Sequence, residues 1–210
     1  MAIEWCEICE FSKPPGIPCP TCAERANLKR LEAMAQRTLD IERLGGEKAY
    51  REYTLEKYDR KELIEACAGF PNRNLYLWGA TGVGKTHLAV ALVRAALTGL
   101  VVKPQQIYRE LRGFKNPGEE ERVLRSYIHR VPLVVDEIGI GHDTEFSYTA
   151  LYEVLDGRDM AGKKGLIITS NLPLDLLAQK FKDDRVTSRI AGLCGKQGVI
   201  EITGNDRRMK

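Results

Sequence analysis

The run Gly79-Ala80-Thr81-Gly82-Val83-Gly84-Lys85-Thr86 fits the pattern G-x-x-x-x-G-K-[ST] at every fixed position. Each residue type in that pattern has a chemical task. Glycines let the backbone turn tightly, so that successive N–H groups point inward at phosphate oxygens. Lys85 adds a point charge near the β- and γ-phosphates of a nucleotide, and the Thr86 hydroxyl is placed to ligate Mg²⁺. A second run, Leu133-Val134-Val135-Asp136-Glu137, is apolar and then stops in two carboxylates. This predicts a buried strand over 133–135 whose acids stand at the carboxyl edge of a sheet, where ligands of α/β folds bind. Asp136 would hold Mg²⁺ through its water shell, and Glu137 would orient and polarise the attacking water. A strand followed by a charged turn is common, so the acids take their meaning from being paired with the glycine loop. In a third run, Ile167-Ile168-Thr169-Ser170-Asn171, a strand again ends in polar residues. If it lies between the other two strands, Asn171 reaches the γ-phosphate and the water; the alternative is an ordinary strand-end turn ahead of Pro173.

The chain has six cysteines, four of them in the first 22 residues: Cys6, Cys9, Cys19 and Cys22, spaced C-x₂-C-x₉-C-x₂-C. Two close pairs point to one tetrahedral zinc site rather than to a disulfide framework. Pro14, Pro15 and Gly16 would help the chain reverse between the pairs. Fewer than 25 residues cannot build a useful core, so the ion would have to hold this head together, and four thiolates leave no open position for catalysis. The alternatives are an unmetallated, redox-active or disordered head. Cys67 and Cys194 are expected in the core. His87, His129 and His142 show no ligand spacing and are taken as incidental.

The elements that must position these residues follow from periodicity. Leu28, Leu31, Ala35 and Leu39 recur at helical steps, predicting a helix over 23–44 that Gly45-Gly46 ends, with a charged linker over 47–58. From residue 59 strands and helices alternate. Asp59 is a candidate cap for a helix carrying Leu63, Ile64 and Cys67. Strands are predicted over 74–78, 100–103, 133–135, 165–169 and 198–203. Helices are predicted over 85–97, 105–113, 119–130, 145–160, 174–181 and 184–193. Five short strands separated by helices imply a parallel sheet covered on both faces. The predicted organisation is a Cys₄ module over 1–22, a helix and linker over 23–58 and one α/β domain over 59–210. With 43% hydrophobic and 29% charged residues, the composition excludes a wholly disordered or collagen-like chain. The apolar runs are far too short to span a membrane, and a cytoplasmic location is expected. A formal charge of +3 is too mild to argue nucleic-acid binding by itself.

Together the runs resemble the AAA+ ATPases, and more closely the DnaC/IstB group of helicase loaders and transposition ATPases related to the DnaA initiator. The resemblance covers about residues 50–210. It rests on 79–86, on Leu-Val-Val-Asp-Glu-Ile-Gly at 133–139, on Thr-Ser-Asn-Leu at 169–172, and on Asp184-Arg185-Val186-Thr187-Ser188-Arg189-Ile190. It implies a P-loop AAA+ three-layer sandwich, with ATP bound between subunits of a homo-oligomer. An acid directly after Asp136 resembles ATPases with a catalytic glutamate, and no N-K-x-D guanine-reading run is present, so ATP is favoured over GTP. Asn171 then matches the sensor 1 position. Arg185 matches an arginine finger acting on the neighbouring subunit's nucleotide, and Arg189 lies one turn later on the same helix face. No helical lid is expected after the last strand. Gly204-Asn205-Asp206-Arg207-Arg208 looks like the G-x-[SD]-x-R ending of this group, which makes Arg207 or Arg208 a candidate second sensor, with a solvated tail as the alternative.

The leading expectation is an ATP-dependent loader of a replicative helicase that also contacts single-stranded DNA. A basic stretch with interspersed tyrosines, Lys103, Tyr108, Arg109, Arg112, Lys115, Arg122, Arg125, Tyr127 and Arg130, is the candidate DNA surface; Glu110, Glu119, Glu120 and Glu121 dilute it. The rival expectations are an IstB-like ATPase that delivers a transposase to target DNA, and a zinc adaptor that senses ATP without hydrolysing it.

Overall fold

A computed structural model describes residues 4–5, 12–13, 22, 50, 52–96, 98–112, 117–140 and 144–207. The chain divides into two units, Met1–Leu39 and Asp40–Lys210. In the first, strands β1 (Glu4–Trp5) and β2 (Ser12–Lys13) pair antiparallel, with Glu4 opposite Lys13 and Trp5 opposite Ser12. The helix expected over 23–44 lies outside the described residues, as do Cys6, Cys9 and Cys19.

In the second unit the apolar runs of the sequence become a five-stranded parallel sheet: β3 (Leu75–Trp78), β4 (Leu100–Val102), β5 (Leu133–Ile138), β6 (Leu166–Ser170) and β7 (Val199–Glu201). Their order across the sheet is β4-β5-β6-β3-β7. Among the described residues seven helices accompany them: α1 (Lys61–Ala66) before β3, then α2 (Lys85–Ala95), α3 (Pro104–Arg112), α4 (Pro117–His129), α5 (Glu145–Met160), α6 (Leu174–Phe181) and α7 (Arg185–Gly198) between the strands. Leu75, Leu77, Leu133, Val134, Val135, Leu166, Ile167 and Ile168 are wholly buried. Such burial on both faces is what a parallel sheet requires, and each side chain contributes roughly 1.5–3 kcal/mol relative to exposure. Thr144 caps α5 by accepting a hydrogen bond from the Ser147 N–H at 3.3 Å. Among the described residues no helix is long and apolar enough to cross a membrane.

Three expectations need correction. The acid strand does not stop at Val135. It continues through Asp136 and Glu137 to Ile138, because the backbone bulges between Val135 and Ile138 and then pairs again with Ser170 of β6. Glu137 takes a left-handed backbone (φ 64°) to make that bulge. Asp59 does not cap α1. The N-cap residue is Arg60, with no side-chain hydrogen bond, and the Asp59 carboxylate is paired with Arg207 instead. The helix expected to end at 193 runs to Gly198, with a break at Gly195, whose φ of 61° only glycine adopts freely. Accordingly β7 is shorter than the strand expected over 198–203.

Candidate nucleotide site

The phosphate loop joins the carboxyl end of β3 to the start of α2. Gly84, at the N-cap of α2, has φ 100°, and Gly82 has φ 81°; these left-handed turns aim backbone N–H groups into the loop. Lys85 is only 6% exposed. Its ammonium donates to the carbonyls of Gly79 (2.8 Å) and Ala80 (2.7 Å) and to Oδ1 of Asn171 (2.8 Å). Because β6 lies between β3 and β5, the residue just past its end is brought to the lysine. The conditional expectation for Asn171 thus has its geometric premise met.

Asp136 is 1% exposed. The Thr86 hydroxyl donates to its Oδ1 at 2.9 Å and its Oδ2 at 3.1 Å. The Thr169 hydroxyl donates to Oδ1 at 2.6 Å and accepts from the Glu137 N–H at 2.8 Å. Burial pushes the Asp136 carboxyl above its ordinary range, while the Thr169 and Thr86 hydrogen bonds pull it down. A buried carboxylate beside a threonine hydroxyl is a hard-oxygen donor set, which fits Mg²⁺. Glu137 is partly exposed, and its Oε2 lies 3.2 Å from the Lys103 ammonium. Thr169 is the contact that sequence reasoning missed. Its only signal was its place two residues before Asn171.

A cavity of about 270 Å³ opens here. Thr81, Gly82, Gly84, Lys85 and Thr86 of the loop line it, with Glu137 and Asn171. Tyr53, His87 and Arg207 complete the wall. The His87 ring stacks on Tyr53 (centroids 4.6 Å apart, planes 14° apart) and meets Tyr58 edge-on at 5.1 Å. Its Nε2 lies 3.1 Å from the Thr54 carbonyl, and burial lowers its pKa. Taken as incidental from sequence, His87 is a wall residue. Val83 is buried beneath the loop.

Arg185 does not line this cavity. It stands on α7, its side chain two-thirds exposed, donating to Asp183 at 2.6 Å and 2.9 Å and lying 5.8 Å from the Tyr152 ring centre. Arg189 is paired with Asp156 and Asp159 of α5. In the basic stretch Lys103, Arg109, Arg112, Arg122, Arg125 and Arg130 are exposed, and Lys115 lies outside the described residues. Tyr127 is buried and donates to Glu110 at 2.6 Å, so its ring offers no face to a base. Burial pushes the Cys67 thiol up to about 11 and the Cys194 thiol up to about 12, as for inert core cysteines. Cys22 is half-buried. Among the described residues no group of three or more His, Cys, Asp or Glu is placed to hold a metal. Arg208 and His142 lie outside the described residues.

The family profile described as "IstB-like ATP binding protein" matches residues 25–210. A putative ATP-binding protein of insertion sequence IS1162 from Pseudomonas fluorescens is 35% identical over 104 residues, covering 48% of this chain and 44% of that one. The replicative helicase loader DnaC of Escherichia coli is 27% identical over 114 residues, covering 50% of this chain and 46% of that one. The chain thus spans about half the length of these curated relatives. Among solved structures, one of the DnaC helicase loader superposes with a TM-score of 0.64 at 22% identity, covering 75% of this chain and 100% of that one. That likeness establishes the P-loop fold.

Proposed function

This chain belongs to the IstB-like ATP-binding protein family, and from that premise we propose that it binds and hydrolyses ATP between subunits, and uses the cycle to load a replicative helicase onto single-stranded DNA. One observation carries the ATPase part: three stretches of chain meet at one cavity, where Lys85 donates to Asn171 and Thr86 to the buried Asp136, with Lys85, Thr86 and Asn171 in the cavity wall. Lys85 and the loop N–H groups bind the phosphates. Thr86 and Asp136 would hold Mg²⁺, which supplies charge neutralisation on the phosphates when bound. Glu137 orients and deprotonates the attacking water once its carboxylate leaves Lys103. Asn171 holds the water and the terminal phosphate in line. Arg185 supplies a guanidinium to the adjacent subunit.

The exposed Lys103, Arg109, Arg112, Arg122, Arg125 and Arg130 support contact with a phosphate backbone. Cys6, Cys9, Cys19 and Cys22 are assigned to one structural zinc ion. In support, β1 ends directly before Cys6 and β2 starts three residues after Cys9, so a hairpin brackets the first thiolate pair. The cytoplasm is the compartment this function requires.

The 35% identity to the IS1162 protein favours a second reading, in which the same ATPase delivers a transposase to target DNA. Phosphate release measured with single-stranded DNA and the host's replicative helicase tests both. The loader reading expects helicase binding and stimulated turnover that Lys85→Ala abolishes. Turnover without helicase binding moves the assignment to the transposition reading. Nucleotide binding with no turnover under any condition leaves a zinc adaptor that only senses ATP.

A further inference from the structure

The segment 52–60 before α1 and the segment 202–207 after β7 meet at the phosphate loop. The later segment runs against the loop glycines. A Cβ on Gly79 would stand 2.0 Å from the Ile202 carbonyl oxygen, and one on Gly82 would stand 2.0 Å from the Asp206 carboxylate. The Arg207 N–H donates to the Gly82 carbonyl at 3.0 Å. The earlier segment grips this one twice. Arg60 donates to the Thr203 carbonyl, and the Asp59 carboxylate pairs with the Arg207 guanidinium. That guanidinium also lies 4.9 Å from the ring centre of Tyr58, itself 2% exposed, and forms part of the cavity wall.

An exposed carboxylate–guanidinium pair contributes little to the stability of a fold, and Asp59 is largely exposed. What the arrangement does is fix direction. A planar guanidinium stacked on a ring face and held at one edge by a carboxylate keeps its remaining N–H donors in one orientation. The cavity beside it is lined by the loop whose N–H groups take phosphate. Arg207 is a candidate second sensor, the role the family resemblance implies; we propose that Tyr58 and Asp59 are its positioning residues, holding its guanidinium toward a phosphate of the bound nucleotide. This rests on the nucleotide reading of the cavity.

The test measures binding of a fluorescent ATP analogue with Mg²⁺ to the full chain, alongside each variant's thermal unfolding midpoint. Arg207→Ala is expected to weaken binding roughly tenfold, the scale of one charge-assisted hydrogen bond. Asp59→Asn is expected to weaken it severalfold while leaving the unfolding midpoint nearly unchanged. Arg207→Lys keeps the charge but not the planar stack, and is expected to recover only part. The charge-exchanged pair Asp59→Arg with Arg207→Asp rebuilds the ion pair, and its binding is expected to stay as weak as that of Arg207→Ala. Wild-type affinity in Asp59→Asn, or in the charge-exchanged pair, would show a purely structural clasp and overturn the proposal, as would unchanged binding in both Arg207→Ala and Arg207→Lys. Lys85→Ala separates the two levels. If the wild type fails to bind, or Lys85→Ala binds equally well, the nucleotide reading falls first; binding lost in Lys85→Ala but kept in the Arg207 variants removes this inference alone.

Discussion

Thr169 joins the two acids of the site through a single oxygen, donating to Asp136 and accepting from the backbone of Glu137. That oxygen fixes the Asp136 carboxylate against Thr86 and at the same time anchors the bulge that turns Glu137 toward the cavity. Asp136 is nonetheless an expensive residue in the metal-free protein, because its burial disfavours the charge that it must carry. The sign of its pH linkage follows. Its folded pKa is raised above the ordinary 3.8, so the folded state holds the proton more tightly than the unfolded chain. This contribution to stability is therefore full below the unfolded value and is lost as pH rises through the raised folded one. Above that window its burial is a net cost. Asp136→Asn is expected to raise the unfolding midpoint of the metal-free protein by a few degrees at pH 7, with little gain in acid, while abolishing Mg²⁺-dependent nucleotide binding. Calorimetry at both pH values, beside a nucleotide titration, checks it; a midpoint that falls equally at both would refute the charge-burial account.

At the scale of elements, α5 is held by a residue that looks like surface. Arg158 is 0% exposed, and burial lowers its pKa to about 10, so it remains charged at neutral pH. Its guanidinium donates to the carbonyls of Tyr127, Ile128 and Arg130 at 2.7–2.9 Å and of Lys164 at 3.1 Å. One cation thereby satisfies the carboxyl end of α4 and the turn into β6. Arg158→Ala strands four carbonyls and is expected to cost at least about 3 kcal/mol, lowering the midpoint by roughly 6–12 °C. Arg158→Lys should recover only part, since an ammonium cannot reach both segments. A chemical-denaturation curve matching wild type would overturn this. Arg158 was not legible beforehand, because an arginine in an amphipathic helix reads as solvated whichever way it points. Local placement was legible: the glycine loop, the acids after an apolar run and Asn171 after the next strand are each marked within a few residues, and they come together in the structure. The end of β5 was misread because an apolar run marks burial, whereas strand pairing continues through the bulge to Ser170. Asp59 was misread because its partner, Arg207, lies at the other end of the sequence.

At the scale of the whole molecule, the described cavity wall holds the cations Lys85 and Arg207, each already engaged by neighbouring groups. Lys85 is committed to two carbonyls and Asn171, and Arg185 stands outside the cavity, held by its own Asp183. An added guanidinium is typically worth ~10³–10⁵ in the rate of such a transfer, so a lone subunit should turn over slowly and assembly should switch it on. Mixing two inactive variants distinguishes a finger given in trans from one that swings round in cis. On the proposed reading, Lys85→Ala would lose its own nucleotide site but keep Arg185, and Arg185→Ala would keep the site but have no finger to give. If the finger acts across the interface, every contact in which Lys85→Ala presents Arg185 to an Arg185→Ala subunit rebuilds one complete centre. Mixtures should then recover a substantial fraction of wild-type turnover, although each variant alone is inactive. If the finger acts within its own chain, no mixture contains a complete centre, and activity stays at the background of the two parents. Wild-type turnover per subunit should also rise with protein concentration in the first case and stay constant in the second. Mixtures shown by light scattering to co-assemble, yet without recovered phosphate release, would remove Arg185 from the catalytic set while leaving the rest of the site intact.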